Sequence, residues 1–507
     1  MVRDKNEEPV ESRATDILMF KNFCKSKRFY ITTSIAYVNS EPHIGFALES
    51  VQADVLARFY RQLGYDVFFQ TGTDEHGSKI QRTAEANHVA TQKFVDGLSE
   101  KYKGLKEILN LSWDNFIRTT DQKKHWPVVW EIWDKLLASG DLYKKKYGGY
   151  YCVGCESFKT GKDIIDGKCV IHKKELEFIE EENWFFKLSK YTKEIELLIK
   201  KDKLKVIPDG RKNEILSLLK EGLEDVSFSR SKKSVQWGIP VLNDDTQVMY
   251  VWADALTNYI SGYGGTKEWQ KHPADVHMIG KDISRFHAAL WPAMLISCKL
   301  SLPETIFIHG FITANGEKMS KSFGNVIDPY ELAKKYGTDS VRYYLLREIP
   351  SSGDGDFSYE KFEERYNGDL ANGLGNFSAR VSTLASRETE ISGKISKEVK
   401  EKINEVEKIV EQKTEAFKFN EALASVWDLI QFGDRYVNEN KPWAKDLSKE
   451  KREEALYDLI SILKKTAELL TPFLPATAEK ISDAIQLKKD GFIVKKIDNL
   501  FPRIQEK

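Results

Sequence analysis

The sequence has no run of 18 consecutive apolar residues, which is about the length that a membrane-spanning helix needs. Its first 28 residues mix acids with bases and lack the apolar core of a secretion signal. The acids in this stretch also disfavour an organelle-targeting peptide. We therefore expect a cytoplasmic protein that has no membrane partner.

The chain has no excess of charge of either sign, because Lys and Arg number 77 and Asp and Glu also number 77. A protein with zero formal net charge is not held on nucleic acid by bulk charge, so any RNA contact must depend on local patches and stacking. Hydrophobic residues make up 41% of the 507 positions, and a chain of this length is expected to form three or four domains.

Cysteine is also scarce, with five residues, and three of them lie within 18 positions. A disulfide framework would spread its cysteines along the chain and favour an even number. Two residues separate Cys152 from Cys155, and two residues likewise separate Cys169 from His172. Thirteen residues lie between the two pairs. Each pair can chelate one edge of a tetrahedral metal, so these four side chains predict a closed, structural zinc site rather than scattered buried thiols.

The segment from Arg28 to Gly77 has the pattern of a strand, a helix and a second strand. Phe29–Thr33 and Val67–Thr71 are rich in the aromatic and β-branched residues that strands favour. Between them, apolar residues recur at helical spacing, at Ile44, Leu48, Val51, Val55 and Phe59. This βαβ unit predicts an α/β fold with a parallel sheet and helices on its faces.

The rest of the chain divides into an interruption, a return of the strands and a helical end. Residues 116–230 carry the cysteine cluster and many charges and are predicted to be an insertion. Strands are predicted again at Val248–Trp252, Val276–Gly280 and Ile306–Gly310. Residues 351–441 contain no proline and have helical apolar spacing, and Ala455–Leu470 has the pattern of an amphipathic helix. The C-terminal third is therefore predicted to be a helical bundle.

His43–Phe46 begins the first long helix directly after a strand. A helix N-terminus presents unpaired N–H groups and a partial positive charge, which suit a phosphate. His43 can donate to a phosphate oxygen, and Gly45 would let a flat base approach the backbone. Alone, these residues are weak evidence, because a histidine and a glycine begin many helices by chance.

Lys318–Ser322 follows the last predicted strand, in a loop with Asn315–Gly316 before it and Gly324–Asn325 after it. Two lysines on a glycine-hinged loop can close over a triphosphate and neutralise the charge that develops when pyrophosphate leaves. The alternative is a solvated surface loop, which is what most lysine-rich runs of this kind form. The presence of both motifs in one predicted sheet makes that alternative the weaker one.

Together the two motifs resemble the HIGH and KMSKS signatures of class I aminoacyl-tRNA synthetases. Nearly the whole chain is similar to methionyl-tRNA synthetases in particular, through the blocks Ile35–Asn39, Gly72–Gly77, Tyr250–Ala255 and Ile279–Asp282. The resemblance implies a Rossmann-type parallel-sheet catalytic domain with a zinc-knuckle insertion and a C-terminal α-helical bundle. It also implies activation of L-methionine with ATP to methionyl-adenylate and pyrophosphate, followed by transfer of methionine to the 3′ end of tRNA(Met).

The resemblance assigns roles to individual residues. Asp74 would pair with the methionine ammonium, a charge-assisted contact, and the thioether would lie among aromatic side chains. The implied methionine-binding residues are Ile35, Ala36, Tyr37, Asp74, Trp252, Ala255, Tyr259 and His287. Taken singly, Trp252 could be an ordinary core residue, and the pattern favours a satisfied core histidine for His287. The block around His287 reverses that preference.

For ATP, with Mg²⁺, the resemblance implies a ribose contact by Asp282 and phosphate contacts by a histidine and two lysines. The implied ATP-binding residues are His43, Gly45, Gly280, Asp282, Lys318, Met319, Ser320, Lys321 and Ser322. Among them, His43, Lys318 and Lys321 are the predicted catalytic residues. The implied anticodon-binding residues are Asn376, Arg380 and Trp443, which offer the stacking and edge hydrogen bonds that read unstacked bases.

The resemblance also divides the chain into domains. The division comprises an N-terminal extension (1–27), a catalytic domain (28–115 and 231–330), a connective insertion with the zinc knuckle (116–230), a stem-contact linker (331–370) and a helical anticodon-binding domain (371–507). We expect no appended oligonucleotide-binding barrel after the bundle, and therefore a monomer rather than the dimer that such an appendage can support.

Two alternatives stay open. Sister synthetases for leucine, isoleucine and valine carry a large editing domain, for which 116–230 is too short, and a cysteine enzyme places zinc in its catalytic pocket. A tRNA-binding paralogue without catalysis is supported only by Phe46, where the family usually has a second histidine. Phenylalanine cannot hydrogen-bond a phosphate, and we expect Lys318 or Lys321 to supply the missing stabilisation.

Overall fold

The computed structural model describes residues 27–155, 157–159, 161–319, 324–489 and 491–505. Residues 1–26 of the predicted extension, and Ser320, Lys321 and Ser322 of the predicted ATP-binding loop, lie outside the described residues. Among the helices that are described, none has the length and apolarity needed to pass through a membrane.

The strands occur mainly in the first two thirds of the chain. In chain order they are β1 (Arg28–Thr33), β2 (Ala36–Tyr37), β3 (Asp66–Asp74), β4 (Asn115–Arg118), β5 (Leu142–Cys152), β6 (Ser157–Lys159), β7 (Ile164–Ile165), β8 (Lys168–Cys169), β9 (Glu177–Phe186), β10 (Lys205–Ile207), β11 (Val226–Ser227), β12 (Ser229–Ser231), β13 (Pro240–Val241), β14 (Asp244–Met249), β15 (Val276–Gly280), β16 (Thr305–His309), β17 (Ile312–Ala314), β18 (Glu317–Lys318), β19 (Gly355–Phe357), β20 (Ile391–Ser392), β21 (Ile485–Leu487) and β22 (Gly491–Val494).

The two longest α-helices among the described residues, with 22 residues each, lie in the C-terminal part of the chain. In chain order the α-helices are α1 (Ile44–Gln62), α2 (Ser78–Ala86), α3 (Thr91–Ile108), α4 (Trp126–Ala138), α5 (Thr192–Lys200), α6 (Asp209–Glu221), α7 (Val251–Ala255), α8 (Asn258–Ser261), α9 (Thr266–Lys271), α10 (Trp291–Ser297), α11 (Pro329–Tyr336), α12 (Thr338–Arg347), α13 (Tyr359–Arg365), α14 (Asn376–Ala385), α15 (Lys397–Glu415), α16 (Phe419–Asn440), α17 (Lys449–Leu470) and α18 (Pro475–Asp483). Two π-helical segments, Phe286–Leu290 and Tyr366–Gly375, lie between them.

A parallel sheet forms the centre of the catalytic region. Its strand order is β10-β16-β15-β1-β3-β2, with β4 also paired to β3. The predicted strands at 29–33, 67–71, 276–280 and 306–310 correspond to β1, β3, β15 and β16, so these predictions are confirmed. Successive residues of β1 point to opposite faces of the sheet: Phe29 and Ile31 pack in one apolar core, and Tyr30 packs in the other. The sheet is therefore covered on both faces, as parallel sheets are.

The region predicted as an insertion is not wholly separate from this sheet. Its middle part forms a long antiparallel hairpin of β5 and β9, extended by β6 and β11, and the helices α4, α5 and α6 flank this hairpin in the sequence. However, β4 and β10 lie within or at the edge of residues 116–230, and both pair in parallel with strands of the central sheet. The difference arises because a three- or four-residue strand carries too little periodic signal to be recognised in a sequence.

The predicted strand at 248–252 is wrong. β14 ends at Met249, and the helix α7 begins at Val251. β14 also pairs antiparallel with β12 and β13 in a small separate sheet, so it does not belong to the parallel one. A run of five apolar residues has no period that distinguishes a strand from a buried helix, and this run spans the junction between the two.

The predicted C-terminal helical bundle is confirmed by α14 to α17, which pack on one another through buried apolar faces. α17 begins where the Ser448 hydroxyl caps the Lys451 amide at 3.3 Å, and it buries a stripe at helical spacing formed by Leu456, Leu459, Ile460 and Leu463. A small sheet of β20, β22 and β21 beside the bundle was not predicted.

A buried ion pair joins the catalytic region to the helical region. The Arg342 guanidinium in α12 lies 2.8 Å from the Asp54 carboxylate in α1, and neither side chain is exposed. Arg342 also donates to the carbonyls of Leu109, Pro472 and Phe473 at 2.8–3.0 Å. Burial lowers the pKa of Arg342, and Asp54 opposes that shift. For Asp54, burial raises the pKa, but Arg342 and Arg58 outweigh it and lower the pKa overall.

We expect Arg342→Met to lower the free energy of unfolding by about 3–5 kcal/mol, because it leaves a buried carboxylate without its main counter-charge. Urea denaturation followed by tryptophan fluorescence measures this change. Glu401→Gln is the matched control, since Glu401 pairs with Lys397 on the exposed face of α15 and should change stability by less than about 0.5 kcal/mol. Equal effects of the two substitutions would contradict the assignment.

Candidate active site

The carboxyl ends of the central strands collect the predicted site residues at one edge of the sheet. Asp74 is the last residue of β3, Gly280 ends β15, and His309 ends β16. Helix α1 starts at the same edge, since its first amide, that of Ile44, donates to the Ile327 carbonyl at 3.0 Å. Ligands of open α/β sheets bind outside this edge, so the fold places a site here on geometric grounds alone.

His43 caps the start of α1. Its Nδ1 accepts a hydrogen bond from the Gly45 amide at 3.0 Å, so the ring folds back over the first turn. A Cβ at position 45 would lie 2.8 Å from His43 Cε1, which explains the need for glycine there. Burial lowers the pKa of His43, and the nearby Asp282 partly opposes this shift. The imidazole is therefore neutral at pH 7, with Nε2 as its remaining N–H donor.

The residues before the lysine loop form a tight hairpin of β17 and β18. Asn315 and Gly316 both have positive φ, 53° and 78°, which is the requirement of a type I′ turn. Lys318 is exposed in β18 and pairs with Thr313. Met319 packs partly against the main core, and the Asn325 side chain donates to the Lys318 carbonyl at 3.3 Å.

Gly280 and Asp282 form the turn that follows β15. A Cβ on Gly280 would lie 2.9 Å from the Asp282 carboxylate and 3.7 Å from the His309 ring, so the backbone must be bare here. Asp282 is exposed to solvent, as a contact to a ribose hydroxyl requires. The turn is anchored by Lys281, whose ammonium lies 2.6 Å from the Asp354 carboxylate.

A histidine that the sequence did not single out lies directly beneath this turn. His309 Nε2 is 2.7 Å from the Glu49 carboxylate, and its Nδ1 is 2.7 Å from the Gly310 carbonyl. Both partners accept hydrogen bonds, so both ring nitrogens donate and the ring is an imidazolium. Burial lowers the pKa of His309, but Glu49 and the Gly310 carbonyl outweigh it, with Asp282 adding to the rise. Glu49 also accepts from the Ser34 amide and hydroxyl, at 2.8 and 2.6 Å.

The predicted methionine-binding residues approach the same edge from two sides. Ala36 and Tyr37 form β2, which pairs with Thr73 and Asp74 of β3, and Ile35 precedes them. Asp74 is mostly buried, and its carbonyl accepts from the Val38 amide at 3.1 Å. This pairing brings one group of predicted residues together.

The second group lies on α7, α8 and the π-helical segment 286–290. Trp252 stacks on Phe286 with ring centroids 3.8 Å apart, and Ala255 is buried in the same helix as Trp252. Tyr259 and His287 are both buried, with the phenol oxygen 2.7 Å from Nε2. His287 Nδ1 donates to the Ile283 carbonyl at 3.1 Å, so Nε2 accepts from Tyr259. Burial lowers the pKa of His287 to about 4, and the imidazole stays neutral.

The four predicted metal ligands come together at the tip of the long hairpin. Their ligand atoms all lie within 4.8 Å of one another. Cys155 Sγ is 3.6 Å from Cys169 Sγ and 3.2 Å from His172 Nδ1, and Cys152 Sγ is 3.8 Å from the same nitrogen. Gly154 permits this closure, since a Cβ there would lie 2.7 Å from the His172 ring. The zinc–sulfur bond of about 2.3 Å puts tetrahedral sulfurs about 3.8 Å apart, so the ligand set fits that ion.

The predicted anticodon residues share one surface of the helical region. Asn376 and Arg380 are one turn apart on α14 and therefore lie on the same face. The Arg380 guanidinium lies 4.9 Å from the centre of the Trp443 ring and donates to Asn438 at 2.7 Å. Trp443 is 43% exposed, which is unusual for a tryptophan and leaves one ring face open to a partner.

Comparison with known proteins agrees with this geometry. The family described as tRNA synthetases class I (M) matches residues 29–162 and 159–382, and the anticodon-binding domain of tRNA ligase matches residues 396–503. The methionine–tRNA ligase of Clostridium acetobutylicum is 44% identical over 95% of this chain and 79% of its own length. The chain belongs to the methionyl-tRNA synthetase family. It is an aminoacyl-tRNA ligase, and the predicted family, function and fold class are confirmed.

Other relatives of this methionyl-tRNA synthetase family extend the likeness. The methionine–tRNA ligase of Thermotoga maritima is 42% identical over 90% of this chain and 74% of its own length. Mycobacterium tuberculosis methionyl-tRNA synthetase in complex with methionyl-adenylate is similar in structure, with a TM-score of 0.90 and 36% identity. The match covers 94% of this chain and 100% of that one.

Several residues that shape the site escaped the sequence analysis. His76 and Asp254 stand inside blocks that pointed to the family, so a signal for them was present. Glu49, His125 and His309 stand in no quoted block, and only their contacts in the fold reveal them.

The His309–Glu49 pair predicts a pH dependence of stability. The folded pKa of His309 lies above its usual value of about 6.5. The pair's contribution is therefore fully present below about pH 6.5 and is lost as the pH rises through the folded pKa. We expect the stability difference between the parent and His309→Gln to shrink over that window when unfolding free energies are measured from pH 5 to pH 9. A difference that grows with pH would contradict the imidazolium assignment.

Proposed function

We propose that this synthetase assembles methionine, ATP and the tRNA 3′ end at the carboxyl edge of the central sheet. One observation carries the proposal: Asp74 ends one strand of the parallel sheet, Asp282 follows another, and His43 precedes the helix α1 beside them. Lys318 lies in the β17–β18 hairpin, which comes after β16 of the same sheet in the chain. These four side chains come from sequence positions up to 275 residues apart, roughly half the chain, and would supply an imidazole, two carboxylates and an ammonium to one site.

Methionine would bind with its ammonium at Asp74 and its side chain between Trp252 and the Tyr259–His287 pair. The Asp74 carboxylate is largely shielded from water, which strengthens a charge-assisted contact. Tyr259 and His287 satisfy each other and remain neutral, so the pocket offers a polarizable thioether ring edges and no unpaired charge. Ile35, Ala36, Tyr37 and Ala255 complete the proposed pocket.

ATP would lie across the start of α1. His43 Nε2 is available to a phosphate oxygen, Gly45 admits the nucleotide to the helix backbone, and Asp282 at the Gly280 turn receives the ribose hydroxyls. The lysine loop, with Lys318, Met319, Ser320, Lys321 and Ser322, would cover the triphosphate. Mg²⁺ is expected to enter with ATP, since it binds phosphate oxygens and supplies counter-charge there.

In activation, a methionine carboxylate oxygen forms a bond to the α-phosphorus while the bond to pyrophosphate breaks. Negative charge grows on the leaving pyrophosphate, and His43, Lys318 and Lys321 would stabilise it. In transfer, a hydroxyl of the tRNA 3′ end attacks the methionyl carbonyl and AMP leaves. Phe46 takes no part in these contacts, because its ring packs edge-on against Tyr102, with centroids 5.2 Å apart.

The knuckle of Cys152, Cys155, Cys169 and His172 would hold one zinc ion in a structural role. Four protein ligands leave no open position for a substrate, and structural zinc sites are closed in this way. The hairpin that carries the knuckle is anchored to the catalytic domain, since Arg82 in α2 makes two hydrogen bonds, of 2.6 and 3.0 Å, to Glu177 in β9. Zinc would therefore stiffen the tip of a hairpin that borders the active edge.

We expect the purified protein to contain about one zinc per chain and Cys155→Ser to lose it, because three remaining ligands no longer close the tetrahedron. Metal analysis after dialysis measures the content. Cys298→Ser is the matched control, since Cys298 is a buried thiol that lies outside the knuckle. A parent protein that is free of metal would rule out the zinc assignment.

The helical domain would read the anticodon. Asn376 and Arg380 offer hydrogen bonds to base edges, and the exposed ring of Trp443 offers a stacking platform.

We keep the predicted division into domains with one change, which moves β4 and β10 from the insertion to the catalytic domain. Residues 331–370 remain the proposed stem-contact linker. We further propose that the protein is cytoplasmic and monomeric. A measurement of its mass in solution tests the monomeric state.

The two steps of the reaction can be assayed separately, and the two assays test the two proposed sites independently. Methionine-dependent exchange of pyrophosphate into ATP requires only the catalytic edge, whereas charging requires the anticodon as well. We expect Trp443→Ala to leave exchange within about twofold and to weaken charging about five- to 150-fold, since stacking one base contributes roughly 1–3 kcal/mol.

Leucine and cysteine serve as control substrates in the exchange assay. Leu63→Ala serves as the control variant, because Leu63 is also an exposed apolar residue and lies at the end of α1 opposite to His43. No exchange with methionine would refute the proposed reaction. An equal loss of exchange and charging in Trp443→Ala would refute the anticodon site and leave the catalytic one standing.

A further inference from the structure

A buried carboxylate links two histidines behind the methionine pocket. Asp254 in α7 is 1% exposed, and its two oxygens contact different imidazoles. His76 Nδ1 lies 2.7 Å from Oδ2, and His125 Nε2 lies 2.6 Å from Oδ1. Both histidines are as deeply buried as the aspartate, so water cannot replace either contact.

The three residues come from segments that are far apart in sequence. His76 follows Asp74 by two residues at the end of β3, and Asp254 follows Trp252 by two residues in α7. His125 directly precedes α4, which leads into the long hairpin. The link thus joins the strand end that carries Asp74 to the helix that carries Trp252, with the start of the insertion as a third point of attachment.

Each end of the link is itself fixed. His125 Nδ1 lies 2.7 Å from the Ser261 hydroxyl in α8, the helix that also carries Tyr259. The His76 ring packs against Trp237, with centroids 5.7 Å apart. The Trp237 indole in turn donates to the Glu75 carbonyl at 2.5 Å. Both histidines of the link are therefore held by a second contact besides Asp254.

The electrostatics favour a carboxylate that keeps both partners. Burial raises the pKa of Asp254, but His76 and His125 outweigh it and lower the pKa overall. Hydrogen bonds to a charged acceptor are stronger than hydrogen bonds between neutral groups. The loss of either one inside the protein therefore destabilises the folded state more than the loss of a neutral hydrogen bond.

We propose that Asp254 is a positioning residue for methionine, which sets the separation of Asp74 and Trp252 by binding His76 on one side and His125 on the other. The proposal rests on the assignment of Asp74 and Trp252 to the methionine pocket. The hydrogen bonds of the Asp254 carboxylate go to His76 and His125, whereas His43, Gly280 and Asp282 of the proposed ATP site lie on other elements. Loss of this carboxylate should therefore change the recognition of methionine and leave that of ATP alone.

The test is the KM for each substrate in methionine-dependent pyrophosphate exchange. We expect Asp254→Ala to raise the KM for methionine about tenfold or more, because small displacements of binding groups have large effects, with the KM for ATP within about twofold. Asp254→Asn keeps one acceptor oxygen and should show a smaller rise. His76→Gln and His125→Gln each remove one half of the link and should also raise the KM for methionine selectively.

Asp244→Asn is the matched control. Asp244 is likewise buried, with contacts of 2.9 Å to Lys144, 3.0 Å to Trp184 and 2.6 Å to Thr246, but these serve the small sheet around β14. This variant should keep both KM values within about twofold.

A KM for methionine that stays unchanged, or that rises together with the KM for ATP, would overturn the positioning role. If Asp254→Ala does not fold, the two histidine variants decide the outcome. Exchange by the parent protein tests the proposed function separately, so a failed inference and a failed function give different results.

Discussion

The buried pairing of Arg342 with Asp54 holds α1 in place, and most of the described chemistry is arranged on or beside that helix. Asp54 lies in the middle of α1, with His43 at its start and Glu49 between them. The other hydrogen bonds of Arg342 go to backbone carbonyls at Leu109, after α3, and at Pro472 and Phe473, between α17 and α18. A charge that is unexposed and bonded on several sides cannot slide, because each new position would leave a buried polar group without a partner.

Glu49 gives the same helix a second anchor, toward the strands. It binds Ser34 after β1 and His309 at the end of β16, and the His309 ring lies against the Gly280 turn. The helix is therefore fastened to the helical region through one carboxylate and to the edge of the sheet through another. The surface that we propose for the anticodon and the edge that we propose for methionine activation thus belong to two regions that α1 joins through buried contacts.

Much of this architecture is predictable, and the exceptions have physical causes. Long strands such as β1 and β3, the helix α1 and the Cys152–His172 knuckle all have local patterns in the sequence, of period or of spacing. β4 and β10 are short, and their membership of the central sheet depends on partners far along the chain. The links through His125 and His309 are tertiary contacts of single side chains, for which no sequence period exists.

The strand order has a consequence for synthesis of the chain. β1 pairs with β3 on one side and with β15 on the other, and β15 begins at Val276, roughly 200 residues after β3 ends at Asp74. Translation at about 5–20 residues per second would separate the two pairings by roughly 10–40 s. During that interval the β1–β3 unit emerges from the ribosome with an unpaired, apolar edge. The nascent chain must therefore protect this edge, through its own α1 or through a chaperone, until the last strands arrive.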